Sequence, residues 1–241
     1  RDAYSGLSSC KPMKHKTMKE CYNHFKKTAG SKARRPYIVV KSDAAAEIVQ
    51  AVTELGWHPE PSLADRWPHN TRQERFHGTA KSVIRESINQ SGFPEDSWEL
   101  LPEYASVALG VTQKAPILPW EKDDSTGKIL DKFKKKESQT CWEAFHGSPF
   151  TGPLQPSGRL LFYLDRREER HPLTSKASPG FFIGWRLDSG TRYRGVLRIL
   201  DYNKAKAGKL TVTDVIDVPE EEVHFPELLD FPFYNYTSNQ L

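Results

Sequence analysis

The sequence lacks any long apolar run, and this absence argues against one class of protein at the outset. Nowhere in its 241 residues does a stretch approach the ~20 consecutive apolar residues that a membrane-spanning helix requires. Cysteine is also scarce: Cys10, Cys21 and Cys141 are the three present, and they cannot all pair with one another. This usage favours a reducing compartment over a disulfide-stabilised secreted scaffold.

The sequence also lacks the pattern of a signal peptide and the recognised spacings of zinc ligands. The N-terminus, Arg1-Asp2-Ala3-Tyr4, has neither an initiator methionine nor the pattern of a signal peptide, so we expect a piece of a longer product. Cys10, His15, Cys21 and His24 are close in sequence but match none of the recognised spacings of zinc ligands. A zinc site is therefore the less favoured interpretation of these four residues.

The overall composition predicts a folded, soluble protein with a mildly basic net charge. Hydrophobic residues make up 37% and charged residues 27%, with a net charge of +4. Cations are concentrated in a lysine-rich opening segment (11–35), a lysine run (128–136) and a series of arginines from residue 159 onward. Arginine suits phosphate recognition, which makes nucleic acid a possible partner. For most of these residues, however, the ordinary role is a solvated surface.

Hydrophobic spacing predicts alternating strands and helices through the first 110 residues, which is typical of an α/β domain. The predicted elements are a strand at 3–13, a helix at 17–28, a buried strand at 36–42, a helix at 44–55, a loop at 57–68, and helices at 70–90 and 95–110. Residues 111–140 resemble a connector, followed by a short helix near 141–146. Five short strand-like segments then predict a small β-barrel or sandwich, at 158–165, 180–187, 193–200, 210–217 and 221–225.

Two carboxylates occupy positions that suit metal-dependent phosphoryl transfer. Asp43 directly follows the predicted strand at 36–42, and Glu74 lies in the first turn of the predicted helix at 70–90. Mg²⁺ is usually held by one or two carboxylates together with substrate phosphate oxygens. Each residue also has an ordinary structural alternative, because Asp43 could cap the helix at 44–55 and Glu74 could complete a capping box with Thr71. From spacing alone, these alternatives are the more common roles.

The helix that carries Glu74 has a charged stripe. Glu74, Gly78, Lys81 and Arg85 recur at the helical period, away from the apolar face around Phe76. An acidic group followed by a small residue and two cations would suit a metal site beside a phosphate backbone. The alternative is a solvated helix face.

Five segments, in the same order along nearly the whole chain, resemble the integrase of copia-type retrotransposons. They are Asp2-Ala3-Tyr4-Ser5, Val39-Val40-Lys41-Ser42-Asp43, Asn70-Thr71-Arg72-Gln73-Glu74-Arg75, Trp142-Glu143-Ala144-Phe145-His146-Gly147, and Pro179-Gly180-Phe181-Phe182-Ile183-Gly184-Trp185 with Tyr193-Arg194. The first three are similar to the catalytic core, and the last is similar to the small barrel that follows it.

The resemblance implies a fold and a domain order. A ribonuclease-H-like core would occupy residues 1–112, a connector 113–150, a small all-β barrel 151–228 and a tail 229–241. The family's first catalytic Asp lies on a strand that would precede residue 1, and Asp2 falls on the following strand. The resemblance therefore implies an N-terminally incomplete core, and whether this chain is itself an enzyme stays open.

The resemblance also implies a mechanism. Asp43 and Glu74 would be catalytic metal ligands for Mg²⁺ or Mn²⁺ in a two-metal transfer of polynucleotide strands. Asn70, Lys81 and Arg85 would bind nucleic acid, helped by the arginines of the barrel. The partner would be DNA, the assembly a homo-oligomer and the location the nucleus.

Two alternatives belong beside this interpretation. The chain could be a catalytically inactive remnant that keeps the fold and still binds nucleic acid. A host ribonuclease-H-like nuclease would fit the core but would leave the C-terminal barrel unexplained.

Overall fold

The computed structural model describes residues 1–34, 37–62, 71–116, 135–165 and 176–234. The chain forms two units that are discontinuous in sequence. The helical unit consists of Lys11–Ser82 and Leu187–Arg194, and the sheet unit consists of Arg1–Cys10, Val83–Arg186 and Gly195–Leu241. Both mix helices and strands, in agreement with the predicted α/β class. The domain boundaries predicted at residues 112, 150 and 228 stay predictions.

The helical unit begins with helix α1 (Met18–Ala29), close to the predicted bounds. Its first turn is capped by the Thr17 hydroxyl, which accepts a hydrogen bond from the Glu20 amide at 3.3 Å. Phe25 packs against Trp57 with 6.2 Å between ring centroids, and the Trp57 indole N–H donates to the Ala33 carbonyl. Trp57 is 7% exposed. It is therefore part of the core of the helical unit.

A strand–helix–strand unit follows, made of β1 (Val39–Ser42), α2 (Ala46–Glu54) and β2 (His58–Pro61). The two strands are parallel, with Val39 opposite His58 and Ser42 opposite Pro61, and α2 supplies the crossover that parallel pairing needs. Two predictions are wrong here. β1 is not a buried strand, since Val39 is 52% exposed. The predicted loop at 57–68 contains β2, because an edge strand tolerates prolines that cannot donate to a ladder.

Helix α3 (Thr71–Ser91) confirms the predicted long helix at 70–90. Phe76 and Ala80 are buried in the helical unit, and Ile88 is buried in the sheet unit, to which the helix belongs from Val83 onward. None of the helices in the described ranges is long and apolar enough to cross a membrane.

In the sheet unit, the helix predicted at 95–110 is divided. A 3-10 turn (Glu95–Leu100) precedes helix α4 (Pro102–Thr112), which starts at a proline because the first helical position needs no N–H donor. Strands β3 (Lys114–Pro116) and β4 (Lys135–Thr140) then pair antiparallel. Helix α5 (Cys141–His146) matches its prediction; a capping box opens it and the left-handed Gly147 closes it.

The remaining strands form one five-stranded antiparallel sheet. Its members are β5 (Leu160–Leu164), β6 (Ala177–Asp188), β7 (Arg192–Asp201), β8 (Val215–Pro219) and β9 (Val223–His224), with the short helix α6 (Tyr202–Lys206) after β7. The strand order is β8-β7-β6-β5-β9.

This sheet is open, so the closed barrel predicted for residues 151–228 is wrong in that respect. The edge strands β8 and β9 are not paired within the described residues, and the 3-10 turn Glu220–Glu222 separates them. The edges of a flat sheet of this size would lie ~19 Å apart, whereas the few residues between these two strands reach only ~14 Å. The sheet must therefore curl so that its edges approach each other.

The strand predicted at 3–13 is not present. The Asp2 carboxylate accepts hydrogen bonds from the amides of Tyr4 and Ser5, at 2.9 and 3.3 Å, and this turn bends the chain. Gly6 follows with φ +77°, in the left-handed region, so the backbone of the predicted strand is not extended at this residue. The ribonuclease-H-like core predicted for 1–112 stays a prediction, since the described strands of this region form only the parallel pair β1–β2.

The core of the sheet unit is aromatic. Phe93, Phe181 and Phe233 meet edge to face with ring centroids 5.4 to 5.9 Å apart. Leu100 and Leu101 are also fully buried in this cluster. Phe233 comes from the segment that the sequence predicted to be a tail, and at 8% exposure it is part of the buried core.

Candidate metal and nucleic-acid site

Asp43 lies where the sequence predicts it, immediately after β1, and it is exposed. The Ser42 carbonyl accepts hydrogen bonds from the amide and hydroxyl of Ser62, which ties together the carboxyl ends of β1 and β2. The structural alternative for Asp43 does not hold, because Ala45 is the N-cap of α2 and no side chain caps that helix. The Asp43 carboxylate is thus left at a strand end without a capping role.

Glu74 also lies where predicted, in the first turn of α3, and it is exposed. Within the described residues, neither Glu74 nor Asp43 accepts a side-chain hydrogen bond or forms an ion pair. The positive end of the helix dipole favours a carboxylate at the Glu74 position in any case. Both carboxylates are therefore without a side-chain partner among the described residues, and the capping box of Glu74 with Thr71 stays a prediction because the Thr71 side chain lies outside them.

The chain path is compatible with a shared site. Ser42 and Pro61 are opposite each other, so β1 and β2 end at the same edge, and Asp43 lies at that edge. From β2 the chain continues through residues 63–70, which lie outside the described residues, into α3 and Glu74. No group of three or more His, Cys, Asp or Glu side chains suited to a metal ion occurs in the part that the structure describes. Convergence of Asp43 and Glu74 on one ion stays a prediction.

The cysteine and histidine residues near the N-terminus do not form such a group either. None of the three cysteines, all of which lie in the described ranges, forms a disulfide. Burial raises the pKa of both the Cys10 and the Cys21 thiol, which disfavours the thiolate form that binds zinc. These thiols behave as small core residues.

The predicted nucleic-acid residues divide into two groups. Lys81 and Arg85 are exposed on α3, and neither has a carboxylate partner among the described residues. A side chain at Gly78, on the same stripe, would meet no atom within 4 Å, so this face of the helix is open. Asn70 lies outside the described residues. The exposed stripe can therefore accept an anion from solvent.

Two of the arginines predicted to bind phosphate as part of the barrel are Arg192 and Arg194. Both belong to the helical unit, at the tip of the β6–β7 hairpin. Nothing in their spacing indicates this, because the contact that positions the tip joins residues 162 positions apart.

Comparisons with known proteins add one partial likeness. No family model matches the sequence, and no curated protein matches it. Among solved structures 43 chains match. One is a chain from the cryo-EM structure of the simian T-cell lymphotropic virus intasome in complex with the PP2A regulatory subunit B56 gamma. It is 14% identical, with a TM-score of 0.43, over 94% of this chain and 70% of that chain. A likeness at this level carries no argument, and the candidate site rests on this chain's own residues.

Proposed function

We propose that the chain is an integrase-like module of a copia-type retrotransposon that binds DNA, with Asp43 and Glu74 as the metal ligands for strand transfer. One observation carries the proposal: both carboxylates are exposed, at a strand end and in a first helical turn, and neither forms a hydrogen bond or ion pair with a described side chain. The ordered resemblance of five sequence segments to this family supports it.

The chemistry of the two residues fits Mg²⁺ or Mn²⁺. These cations prefer oxygen ligands, and Mg²⁺ commonly takes only one or two carboxylates and fills its other positions with water and phosphate oxygens. Asp43 and Glu74 would hold the ion on the protein side. When bound, the ion supplies Lewis-acid stabilisation and activates water or a 3′-hydroxyl for in-line displacement.

The cations of α3 would position the substrate. Lys81 and Arg85 lie two and three turns beyond Glu74 on the same stripe of the helix. Contacts from them to DNA phosphates would fix the register of the backbone without reading its sequence. Their contribution to affinity should fall as salt rises, because each neutralised phosphate releases condensed counterions.

The test is a metal titration followed on the residues themselves. Mn²⁺ broadens NMR signals of nuclei close to it, so in the wild-type chain it should selectively broaden the amides following β1 and those of the first turn of α3. Asp43→Asn and Glu74→Gln should each abolish that broadening at both places. Glu54→Gln removes one exposed carboxylate from the end of α2 and is the matched control. Broadening that persists unchanged in Asp43→Asn contradicts the proposed site.

The second candidate is a nucleic-acid-binding remnant without chemistry. The exposed cations Lys81 and Arg85 favour it, since they would bind phosphates with or without a metal ion. DNA binding that is equally strong with Mg²⁺ and with a chelator, together with no Mn²⁺ broadening near Asp43, would select this candidate.

A further inference from the structure

The hairpin between β6 and β7 packs against the carboxyl end of α1, inside the helical unit. The Gly190 amide donates to the Lys27 carbonyl at 2.7 Å, and the Ser189 hydroxyl donates to the same oxygen at 3.4 Å. The last carbonyls of a helix have no partner within the helix. The hairpin tip supplies donors for one of them and is thereby held against α1.

Two glycines make this approach possible. A Cβ atom on Gly30 would lie 2.7 Å from both Cα and N of Gly190, a distance that backbone atoms cannot accommodate. Gly30 and Gly190 also have φ of +57° and +82°, in the left-handed region that glycine favours. The contact is therefore a close backbone-to-backbone fit, and it fixes the position of the hairpin tip on the helix.

The fit brings together cations from two distant parts of the sequence. We call them the α1–hairpin basic surface: they are all exposed, and they are Lys26, Lys27, Arg34, Arg192 and Arg194. Arg192 Nε and Gly30 Cα both lie 3.8 Å from the point where a Cβ of Gly190 would be, so Arg192 lies over the junction itself. Lys27, whose carbonyl accepts the Gly190 amide, and Arg192 are thus both exposed at this junction.

The charge of this surface is only partly compensated. Arg194 pairs with Asp188 at 3.4 Å, and that pair is largely solvent-exposed. The carboxyl end of α1 adds the equivalent of about half a negative charge. Neither Lys27, Arg34 nor Arg192 has an ion-pair partner among the described residues. The partial negative charge at the end of α1 can compensate the charge of one cation at most. The α1–hairpin basic surface therefore keeps an excess of positive charge.

We propose that the α1–hairpin basic surface binds the phosphate backbone of duplex DNA. Guanidinium groups pair with phosphate oxygens through two parallel hydrogen bonds, while lysines contribute mobile point charges. Cations carried by two elements that pack against each other suit a ligand with regularly repeated anions. The proposal rests on the proposed function for the identity of the partner, but none of its residues is among Asp43, Glu74, Lys81 and Arg85.

Its test measures binding of the chain to a short fluorescent DNA duplex by anisotropy across a salt series. The triple variant Lys27→Gln/Arg34→Gln/Arg192→Gln removes three cations of the surface. Because each lost phosphate contact lowers the slope of log affinity against log salt by about 0.9, we expect a slope smaller by about 2 to 3. At low salt the affinity should fall roughly 10- to 100-fold.

A matched variant separates the effect of this surface on DNA binding from the effect of the total charge of the chain. Lys176→Gln/Lys204→Gln/Lys209→Gln removes the same charge at three other exposed lysines of the chain. Its affinity should stay within about threefold of the wild type, because unfocused charge contributes little beyond a Debye length. Equal losses in the two triple variants would overturn the proposal.

A second variant tests the geometry without removing any charge. Gly30→Ala should push the hairpin tip from α1 and weaken DNA binding several-fold, although every cation is kept. Gly56→Ala is its control, since Gly56 has φ +72° but no atom within 4 Å of its added Cβ. Circular dichroism checks folding, and if Gly30→Ala unfolds, the triple variant of the surface decides the question alone.

The remaining outcomes are also decisive. If Lys81→Gln/Arg85→Gln weakens binding and the surface variant does not, this inference fails and the proposed function stands. If the surface variant alone weakens binding, the inference stands and the assignment of Lys81 and Arg85 fails. Duplex binding unchanged in the surface variant, with loss of binding to an acidic protein or anionic vesicles, would assign the surface to another partner and overturn the proposal.

Discussion

Arg198 on β7 and Glu103 on α4 form an ion pair with 2.7 Å between Nη1 and Oε2. Their side chains are 13% and 23% exposed, so the pair is much drier than a surface ion pair. It joins the helix to the sheet at a point where water competes weakly for either charge. Removal of one partner therefore leaves the other with poor solvation.

We expect Glu103→Gln to lower the free energy of unfolding by about 1–3 kcal/mol, because hydrogen bonds to charged groups contribute in this range. A double-mutant cycle with Arg198→Met, followed by urea unfolding, should give a coupling above about 1 kcal/mol. The pair Lys41–Glu60 is the control, since its side chains are 71% and 51% exposed at 3.3 Å. Its coupling should be below about 0.5 kcal/mol, and similar couplings in the two cycles would contradict the prediction.

The C-terminal segment contributes to the core of the sheet unit, which leads to a second prediction. Phe233 is 8% exposed and packs edge to face on Phe93 and Phe181. Phe233→Ala should destabilise the chain by about 3–5 kcal/mol, through lost burial and a residual cavity. Tyr234→Ala is the neighbouring control, at 49% exposure, with an expected cost below about 1 kcal/mol. Equal urea midpoints for the two variants would place Phe233 outside the core.

The capping box of α5 predicts a pH effect. The Thr140 amide donates to Glu143 Oε2 at 2.7 Å and, with the Thr140 hydroxyl, lowers the pKa of the Glu143 carboxyl. A lowered folded-state pKa gives stability that is present above the unfolded-state value, about 4.3, and is lost as pH falls through the folded-state pKa. NMR titration should show Glu143 ionising below the pH typical of glutamate. Thr140→Ala keeps the amide and removes the hydroxyl, so the pKa should rise part of the way towards its usual value; an unchanged pKa in that variant would mean that the hydroxyl contributes nothing to holding the carboxylate.

Local signals explain which elements the sequence predicts well. Thr140, Glu143 and Gly147 all act within a few residues, and α5 is found where they place it. Thr17 does the same for the start of α1. By contrast, β2 was missed because Pro59 and Pro61 break the strand pattern, and only pairing with β1 shows that they occupy an edge. The turn at Asp2 is likewise settled by hydrogen bonds that the residue pattern does not reveal.

In the candidate site, too, local signals predict some features and tertiary contacts determine the others. The local pattern placed Asp43 after a strand and Glu74 in a first helical turn, and the structure has both there. It did not reveal that Ala45 caps α2, the observation that frees Asp43 from a structural role. The α1–hairpin basic surface could not be predicted from the sequence, because it depends on the contact between Gly30 and Gly190, which are far apart along the chain. Contacts of such sequence separation are set by tertiary packing, which no local spacing encodes.

Metal binding at Asp43 and Glu74 predicts a dependence of thermal stability on Mg²⁺. A ligand that binds only the native state stabilises it by RT ln(1 + [L]/Kd), about 2.7 kcal/mol at a hundred times Kd. We therefore expect Mg²⁺ to raise the Tm of the wild-type chain by several degrees, and a chelator to reverse the shift.

The two carboxylates should also act together. Asp43→Asn and Glu74→Gln should each remove the Mg²⁺-dependent shift, and the double variant should behave like either single one, because both residues hold one ion. Asp43→Asn should leave the Tm without metal nearly unchanged, since its carboxylate has no protein partner in the described residues. A shift that survives in both single variants would mean that Mg²⁺ binds elsewhere. If only one variant removed it, the two carboxylates would not share an ion.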